Sequence, residues 1–343
     1  MSNSDSSNSK CKIIVDAMGG DFAPQNAVLG AVQAFNENKD FELFLIGKEK
    51  EILKVLSENN LSFAKENIIH TEEVIEMGET PTAAIKSKPN SSIVAGVKLV
   101  KEKKADAFVS AGNTGAVMAA ATLIMGRIPG VGRPTMGASM PNISGICTVF
   151  DVGASVDSKA RHLLEYAIMG SIYTREIFGI EKPSVGILSV GEEETKGSEV
   201  SLAALEMIKK TNLNFKGNVE GGDILKGTVN VVICDGFTGN ILLKFGEGVL
   251  TLLKFKFKEY AEKGITNKLK IGLVKGAMKE IMKDFDYEEQ GGVPLLGVNG
   301  ICIIGHGRST SKAISNMVLR AREMYAKSLI KKFESSIGQY SHL

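Results

Sequence analysis

The sequence predicts an α/β fold built on a mostly parallel sheet with crossover helices, and three observations carry that prediction. Short apolar or β-branched runs recur at Cys11–Val15, Phe41–Ile46, Ala107–Val109, Gly145–Phe150, Val185–Val190, Val229–Cys234 and Gly300–Ile304. Amphipathic stretches of helical period separate them. Most of the runs end in a polar, glycine-rich turn. Runs with little alternation are buried on both faces, which is the situation of a parallel strand covered by helices.

The first run breaks into Asp16-Ala17-Met18-Gly19-Gly20-Asp21-Phe22-Ala23-Pro24, a turn bracketed by two carboxylates. Gly19 and Gly20 remove the Cβ atoms that block close approach and let backbone N–H groups converge on an oxyanion. That geometry suits phosphate; the alternative is a structural turn with Asp21 as helix N-cap. Helices are predicted over Asn26–Asn36, Lys50–Asn59 and Asn90–Lys103 from apolar spacing and flanking Gly or Pro.

After Ala107–Val109 comes Ser110-Ala111-Gly112-Asn113-Thr114-Gly115, then a helix over Gly115–Met125. A hydroxyl, an amide and flexible backbone at a helix N-terminus make this the first choice for a phosphate cradle. The competing role for Asn113 or Thr114 is a helix cap. Gly145–Phe150 leads into Asp151-Val152-Gly153-Ala154-Ser155. Lys159 and His162 follow three apart, a spacing that puts them on one face of the helix expected over Ala160–Phe178. Lys159 is a candidate for holding phosphate or another anionic oxygen, with a surface pairing to Asp157 or Glu165 as the alternative. His162 alone reads more readily as a structural histidine.

Val185–Val190 ends in Gly191-Glu192-Glu193-Glu194-Thr195-Lys196-Gly197, where Lys196 is the informative residue. A cation there can neutralise phosphate and a developing oxyanion; a solvated charge run is the alternative. A helix over Glu199–Lys210 follows. Val229–Cys234 leads into Asp235-Gly236-Phe237-Thr238-Gly239-Asn240, in which Asn240 can donate to an oxyanion and Asp235 can orient a donor. Cys234, at the end of an apolar run with no cation or histidine beside it, reads as a packed thiol rather than a nucleophile. His306, between Gly305 and Gly307, emerges after Gly300–Ile304 and suits acid assistance or phosphate contact as well as turn stabilisation. A helix over Ser311–Phe333 closes the pattern.

Residues 245–285 read as an amphipathic helical hairpin broken at Gly264. From Lys254 to Lys283 the net charge is +6, against −4 for the rest of the chain. Such a hairpin packs against a twin subunit, rests on anionic lipid, or attracts an acidic partner; the bland alternative is core packing with solvated lysines.

Composition bounds the rest. With 343 residues and 43% hydrophobic content the chain can bury a large core, and no linker or repeat marks a boundary, so residues 11–343 are expected to form one large α/β domain. The 41 basic and 39 acidic side chains nearly cancel, which argues against nucleic acid as a partner. Cys11, Cys147, Cys234 and Cys302 lack metal or redox spacing and fit reduced core thiols in a cytoplasmic setting. Residues 1–10 are expected to be a disordered tail. No apolar run reaches the roughly 20 residues of a membrane span. Neither G-x-G-x-x-G, P-loop, H-E-x-x-H nor G-x-S-x-G is present, and no cofactor or metal site is expected.

The blocks at Asp16–Pro24, Ser110–Gly115, Asp151–Ala154, Lys196-Gly197, Asp235–Asn240 and Gly305–Gly307 occur in the order of the bacterial phosphate acyltransferase (PlsX) family, which this chain resembles almost end to end. The resemblance implies a doubly wound α/β protein akin to isopropylmalate dehydrogenases and phosphotransacetylases. It implies an enzyme that moves a fatty acyl group from acyl carrier protein to inorganic phosphate for phospholipid synthesis. It further implies a homodimer, peripherally attached to an anionic membrane, that meets the downstream membrane glycerol-3-phosphate acyltransferase. On these blocks the catalytic candidates are Lys159, His162, Lys196, Asn240 and His306. The binding candidates are Asp16, Gly19, Gly20, Asp21, Ser110, Asn113, Thr114, Gly115, Asp151, Gly153, Asp235 and Gly239. Two departures stand out, Gln290 where the family has Tyr before Gly-Gly and Ser155 where it has Asn, and neither residue is assigned a role. An isopropylmalate-type dehydrogenase and a noncatalytic phosphate-ligand or lipid-surface module remain as alternatives.

Overall fold

A computed structural model describes residues 10–285 and 288–343, apart from the side chain of Asp284. The expected tail, apart from Lys10, lies outside the described residues. The chain divides into two compact units, Met1–Ile128 with Gln290–Lys331 and Pro129–Glu289 with Lys332–Leu343.

In chain order the first unit begins β1 (Cys11–Asp16), α1 (Gln25–Glu37), β2 (Phe41–Gly47), α2 (Glu49–Glu58), β3 (Ile68–His70), α3 (Pro81–Ser87), α4 (Ser92–Lys101), β4 (Ala107–Ser110) and α5 (Thr114–Ala120). The second unit contributes β5 (Thr135–Asn142), β6 (Gly145–Phe150), α6 (Ala160–Phe178), β7 (Ser184–Leu188), α7 (Glu199–Ile208), β8 (Asn214–Val219), α8 (Gly221–Lys226), β9 (Val231–Ile233), α9 (Gly236–Glu262) and α10 (Ile265–Ile281). The chain then forms β10 (Val293–Leu296), β11 (Ile301–Ile304), α11 (Ser311–Ala326) and α12 (Leu329–Gln339).

The strands of the first unit lie in the order β3-β2-β1-β4-β11-β10, parallel except for β10 against β11. Those of the second lie in the order β5-β6-β9-β7-β8, parallel except for β5 against β6. The mostly parallel α/β class follows as the sequence predicts. Central strands are buried along their whole length, as in β4 and β9, which is why they read as continuous apolar runs.

Register positions the chemistry. Pairing of Val15 with Val109 and of Ile304 with Ser110 sets Asp16, Ser110 and Gly305 side by side at the carboxyl edge of the first sheet. Pairing of Phe150 and Ile187 with Ile233 does the same for Asp151, Cys234 and Leu188 in the second. Loops at these edges are where an open parallel sheet receives ligands.

The predicted helices occur with shifted ends. Ser311–Phe333 breaks where Ser328 adopts φ +53, giving α11 and α12. Gly115–Met125 becomes α5 followed by a π turn over Ala121–Met125. The 245–285 stretch falls on α9 and α10, and α9, with 27 residues, runs about 40 Å. Of α9 only Gly236 and Gly239 are buried, and of α10 nothing. Phe245 is 71% exposed and Leu273 87%.

Candidate active site

In the first unit three turns meet. Asp16 is buried, and its Oδ1 accepts from the Met18 N–H at 3.0 Å while Oδ2 accepts from the Ser110 hydroxyl at 2.7 Å. Ser110 Oγ in turn accepts from the Gly112 N–H at 3.0 Å. Gly19 lies flat against this pair: a Cβ there would stand 2.8 Å from Asp16 Oδ2 and 2.9 Å from Ser110 Oγ. Burial pushes the Asp16 carboxyl above its ordinary range, against the hydrogen bonds from Ser92, Ser110 and Met18 that pull it down. Asp16 and Ser110 therefore brace two turns from within.

The third turn of the first unit closes on the first. The Asp21 N–H donates to the Gly307 carbonyl at 2.7 Å, and Gly20, with φ +106, packs beside the same carbonyl. His306 is exposed, and its Nδ1 accepts from the Arg308 N–H at 3.1 Å, which fixes the ring over the turn.

One of the alternatives for this unit is corrected and another is met. Asp21 does not cap α1, whose N-cap is Pro24; the Asp21 backbone is used to tie the turn to Gly307 instead. Asn113 caps α5, accepting from the Ala116 N–H at 3.0 Å, and its amide donates to the carbonyls of Glu76, Met77 and Glu79 at 2.9 to 3.1 Å. Both ends of that side chain are spent on structure, which leaves Thr114 and backbone N–H groups as the open donors of this turn. Gly115 packs against Pro81, where a Cβ would come within 2.5 Å.

In the second unit Asp151 plays the same bracing part more fully. Its Oδ1 accepts from the N–H groups of Met136, Gly153 and Ala154 at 3.0 to 3.2 Å, and its Oδ2 from that of Ser155 at 2.8 Å. Burial pushes this carboxyl up while the four N–H groups pull it down. The first turn of α9 lies directly on this loop: Gly236 N–H donates to the Ser155 carbonyl at 2.9 Å, and a Cβ on Gly239 would sit 1.9 Å from the Asp151 carbonyl oxygen. Asn240 is exposed beside Gly153.

Asp235 caps α9, accepting from the Thr238 N–H at 2.9 Å and from its hydroxyl at 2.6 Å, so it anchors the helix rather than orienting a donor for substrate. Lys159 and His162 do not share a helix face. Lys159 is the N-cap of α6, and the buried His162 ring turns back so that Nδ1 accepts the Lys159 N–H at 3.1 Å. His162 is a capping residue, and the Lys159 side chain is left exposed.

Lys196 is exposed in the loop after β7 and makes no ion pair among the described residues. Its backbone is pinned, the carbonyl accepting from the Ser189 hydroxyl at 3.1 Å and the Asn218 amide at 2.9 Å. One neighbouring carboxylate, Glu194, pairs with Lys209 at 2.6 Å instead. Cys234 is buried with Sγ 3.5 Å from the Asp151 carbonyl, and burial pushes its thiol far up, as expected of a packed thiol. Arg133, which no sequence motif singled out, donates from Nη1 to Ser155 Oγ at 2.7 Å. A lone arginine in the Gly-Arg-Pro step before β5 was the only signal for it.

Among the described residues no set of three His, Cys, Asp or Glu side chains is arranged to hold a metal ion, and no helix is long and apolar enough to cross a membrane.

The family model described as fatty acid synthesis protein matches residues 11–332. The chain is 46% identical over 326 residues to a phosphate acyltransferase of Pelotomaculum thermopropionicum, covering 95% of each. It is 47% identical over 322 residues to the phosphate acyltransferase of Chlorobaculum parvum, covering 91% of this chain and 94% of the relative. Among solved structures, a phosphotransacetylase from Streptococcus pyogenes shares the fold with a TM-score of 0.63 at 19% identity, covering 92% and 94% of the two chains. The chain belongs to the fatty acid synthesis protein family and, with it, to the acyltransferase enzymes.

Proposed function

We propose that the enzyme transfers a fatty acyl group from the thioester of acyl carrier protein to inorganic phosphate, and that the acyl-phosphate formed supplies phospholipid synthesis. The observation that carries this reading is that anion-binding chemistry is abundant while the thiols and the Ser110 hydroxyl are withheld from the surface. All four cysteines are buried, and Ser110 gives its hydroxyl proton to a hydrogen bond with Asp16 in the interior. This favours phosphate itself as the nucleophile.

In this mechanism a phosphate oxygen attacks the thioester carbonyl carbon and the C–O bond forms. The carbonyl oxygen becomes an oxyanion, then the C–S bond breaks and the thiolate leaves with the carrier protein, taking up a proton. Phosphate is a competent nucleophile and a thiolate a good leaving group, so positioning and charge stabilisation suffice. Lys196, exposed in the loop after β7, and Asn240, exposed at the start of α9, both lie at the carboxyl edge of the second sheet and suit the oxyanion. A single such donor contributes about 100- to 1000-fold in rate. The turns braced by Asp16 and Ser110 provide a further set of backbone donors for anionic groups, and exposed His306 stands over them.

The hairpin formed by α9 and α10 is the proposed contact surface for a second copy of the chain and for an anionic membrane on the cytoplasmic side. Its large side chains are exposed and its flank is rich in lysine, which also favours an acidic carrier protein. The membrane glycerol-3-phosphate acyltransferase is the proposed recipient of the product.

The test is release of free carrier-protein thiol from palmitoyl acyl carrier protein with and without phosphate. Phosphate-dependent release, with acyl-phosphate recovered, supports the reading. Absence of release with vesicle binding intact would indicate a binding module and overturn it.

A further inference from the structure

The segment Gly132–Met136 is clamped at both ends by buried carboxylates. At one end the Gly132 N–H donates to Glu165 Oε2 at 2.8 Å, and Glu165 is gripped in turn by Arg161 Nε at 3.0 Å. At the other the Met136 N–H donates to Asp151 Oδ1 at 3.0 Å. Pro134, between the clamps, fixes its own φ and restricts the residue before it. The stem of Arg133 is thus held rigidly while its head is exposed.

The partner of that head is equally fixed. Ser155 is buried, donates its N–H to Asp151 Oδ2 at 2.8 Å, and accepts from the Gly236 N–H at 2.9 Å. Its hydroxyl takes one guanidinium N–H of Arg133 at 2.7 Å. Arginine carries five such donors in a planar fork that matches phosphate, and Arg133 forms no ion pair among the described residues.

A second observation is independent of the arginine. Tyr166 is 0% exposed on α6, and apart from each other neither its hydroxyl nor that of Ser158 has a hydrogen-bond partner among the described residues. The Tyr166 hydroxyl stands beside that of Ser158, with the Asp151 and Glu165 carboxylates, each already held by N–H donors, and the Arg133 guanidinium around it. A pair of buried hydroxyls with only each other leaves hydrogen-bonding capacity unfilled, which is costly, and departures of this kind are found at functional sites.

We propose that Arg133, with the hydroxyls of Ser155, Ser158 and Tyr166, is the seat of the tetrahedral anion and holds inorganic phosphate for attack. This rests on the acyl-transfer reading above and names the residues that bind its acceptor. The guanidinium neutralises two phosphate oxygens and leaves a third to form the new C–O bond. Glu165 is a positioning residue that acts through the backbone beside Arg133.

The experiment varies phosphate at saturating palmitoyl acyl carrier protein and, separately, titrates the protein with inorganic phosphate by calorimetry. Arg133→Ala is expected to raise the KM for phosphate about 10- to 100-fold with the KM for carrier protein unchanged. Arg133→Lys should recover only part of this, because the fork is lost. Tyr166→Phe removes one oxygen and should raise the phosphate KM about threefold or more while the fold is kept; it decides the matter if Arg133→Ala does not fold. Glu165→Gln should move the phosphate KM and leave that for carrier protein, a split that general destabilisation does not produce. A phosphate KM in Arg133→Ala within about twofold of the parent would overturn the seat while leaving phosphate-dependent turnover intact. If the parent shows no such turnover, the acyl-transfer reading fails; phosphate binding lost in Arg133→Ala still supports the seat, and binding retained overturns it.

Discussion

Replacing Gly239 with alanine sets helix propensity against sterics at the point where α9 meets the Asp151 loop. Propensity alone favours alanine inside a helix by about 1 kcal/mol. The added Cβ, however, would lie 1.9 Å from the Asp151 carbonyl oxygen and 3.0 Å from Cys234 Sγ, whereas ordinary contact begins at 3.4 Å. The shortfall against the backbone oxygen is therefore 1.5 Å. A carbonyl flanked by the four N–H groups that Asp151 collects cannot swing aside, so the first turn of α9 must lift. Overpacking of this kind costs about 1–3 kcal/mol, which exceeds the propensity gain. Lifting Asn240 by an ångström or more should lower turnover about 100-fold. Gly246→Ala is the control: it lies on the same helix with nothing within 4 Å of its added Cβ, and should gain up to about 1 kcal/mol with full activity. Urea unfolding and phosphate-dependent thiol release read the two effects. A Gly239→Ala enzyme as stable and as active as Gly246→Ala would refute the steric argument.

Three further outcomes follow from the same geometry. Burial raises the Asp16 carboxyl above its ordinary 3.8, so its protonated form contributes stability that is full below that value and is lost as pH rises through the higher folded value. The stability advantage of the parent over Asp16→Asn should shrink as pH rises from about 4, and a flat or growing advantage in urea titrations across pH would contradict this. Asn113→Ala should cost about 2–3 kcal/mol through the lost cap and three orphaned carbonyls, yet leave the phosphate KM unchanged; a KM that rises with no loss of stability would make Asn113 a ligand after all. Leu273→Glu, on the most exposed part of the hairpin, should weaken co-sedimentation with vesicles containing anionic lipid while leaving thermal stability unchanged, and undiminished sedimentation would move the membrane contact elsewhere.

How much could be read in advance depended on the kind of signal. Buried parallel strands such as β4 and β9 declare themselves because both faces are apolar. β5 escaped notice, since Thr135–Asn142 mixes glycine, proline and polar residues without alternation, and β8 is largely polar. Three-residue β3 and six-residue α8 are too short to show a period. At the site, the glycine-rich turns were legible because close approach forbids a Cβ, as Gly19 and Gly239 illustrate. The division of labour within them was legible only as alternatives. Asn113, Asp235 and His162 carry the residue types of a binding site but spend them on helix caps, a choice that turns on side-chain direction rather than on spacing. Arg133 was missed for the opposite reason: its importance comes from Glu165 and Asp151, each holding the same short segment through backbone N–H groups, and neither contact has a sequence signature.

Direct attack by phosphate, with no covalent acyl-enzyme, is the claim on which the chemistry turns. Intact-mass measurement after mixing the enzyme with excess palmitoyl acyl carrier protein in phosphate-free buffer tests it most directly. The protein mass should stay unchanged, and adding phosphate should then yield palmitoyl-phosphate and free carrier thiol together. A palmitoyl adduct on the protein that forms without phosphate and is discharged by it would contradict the account.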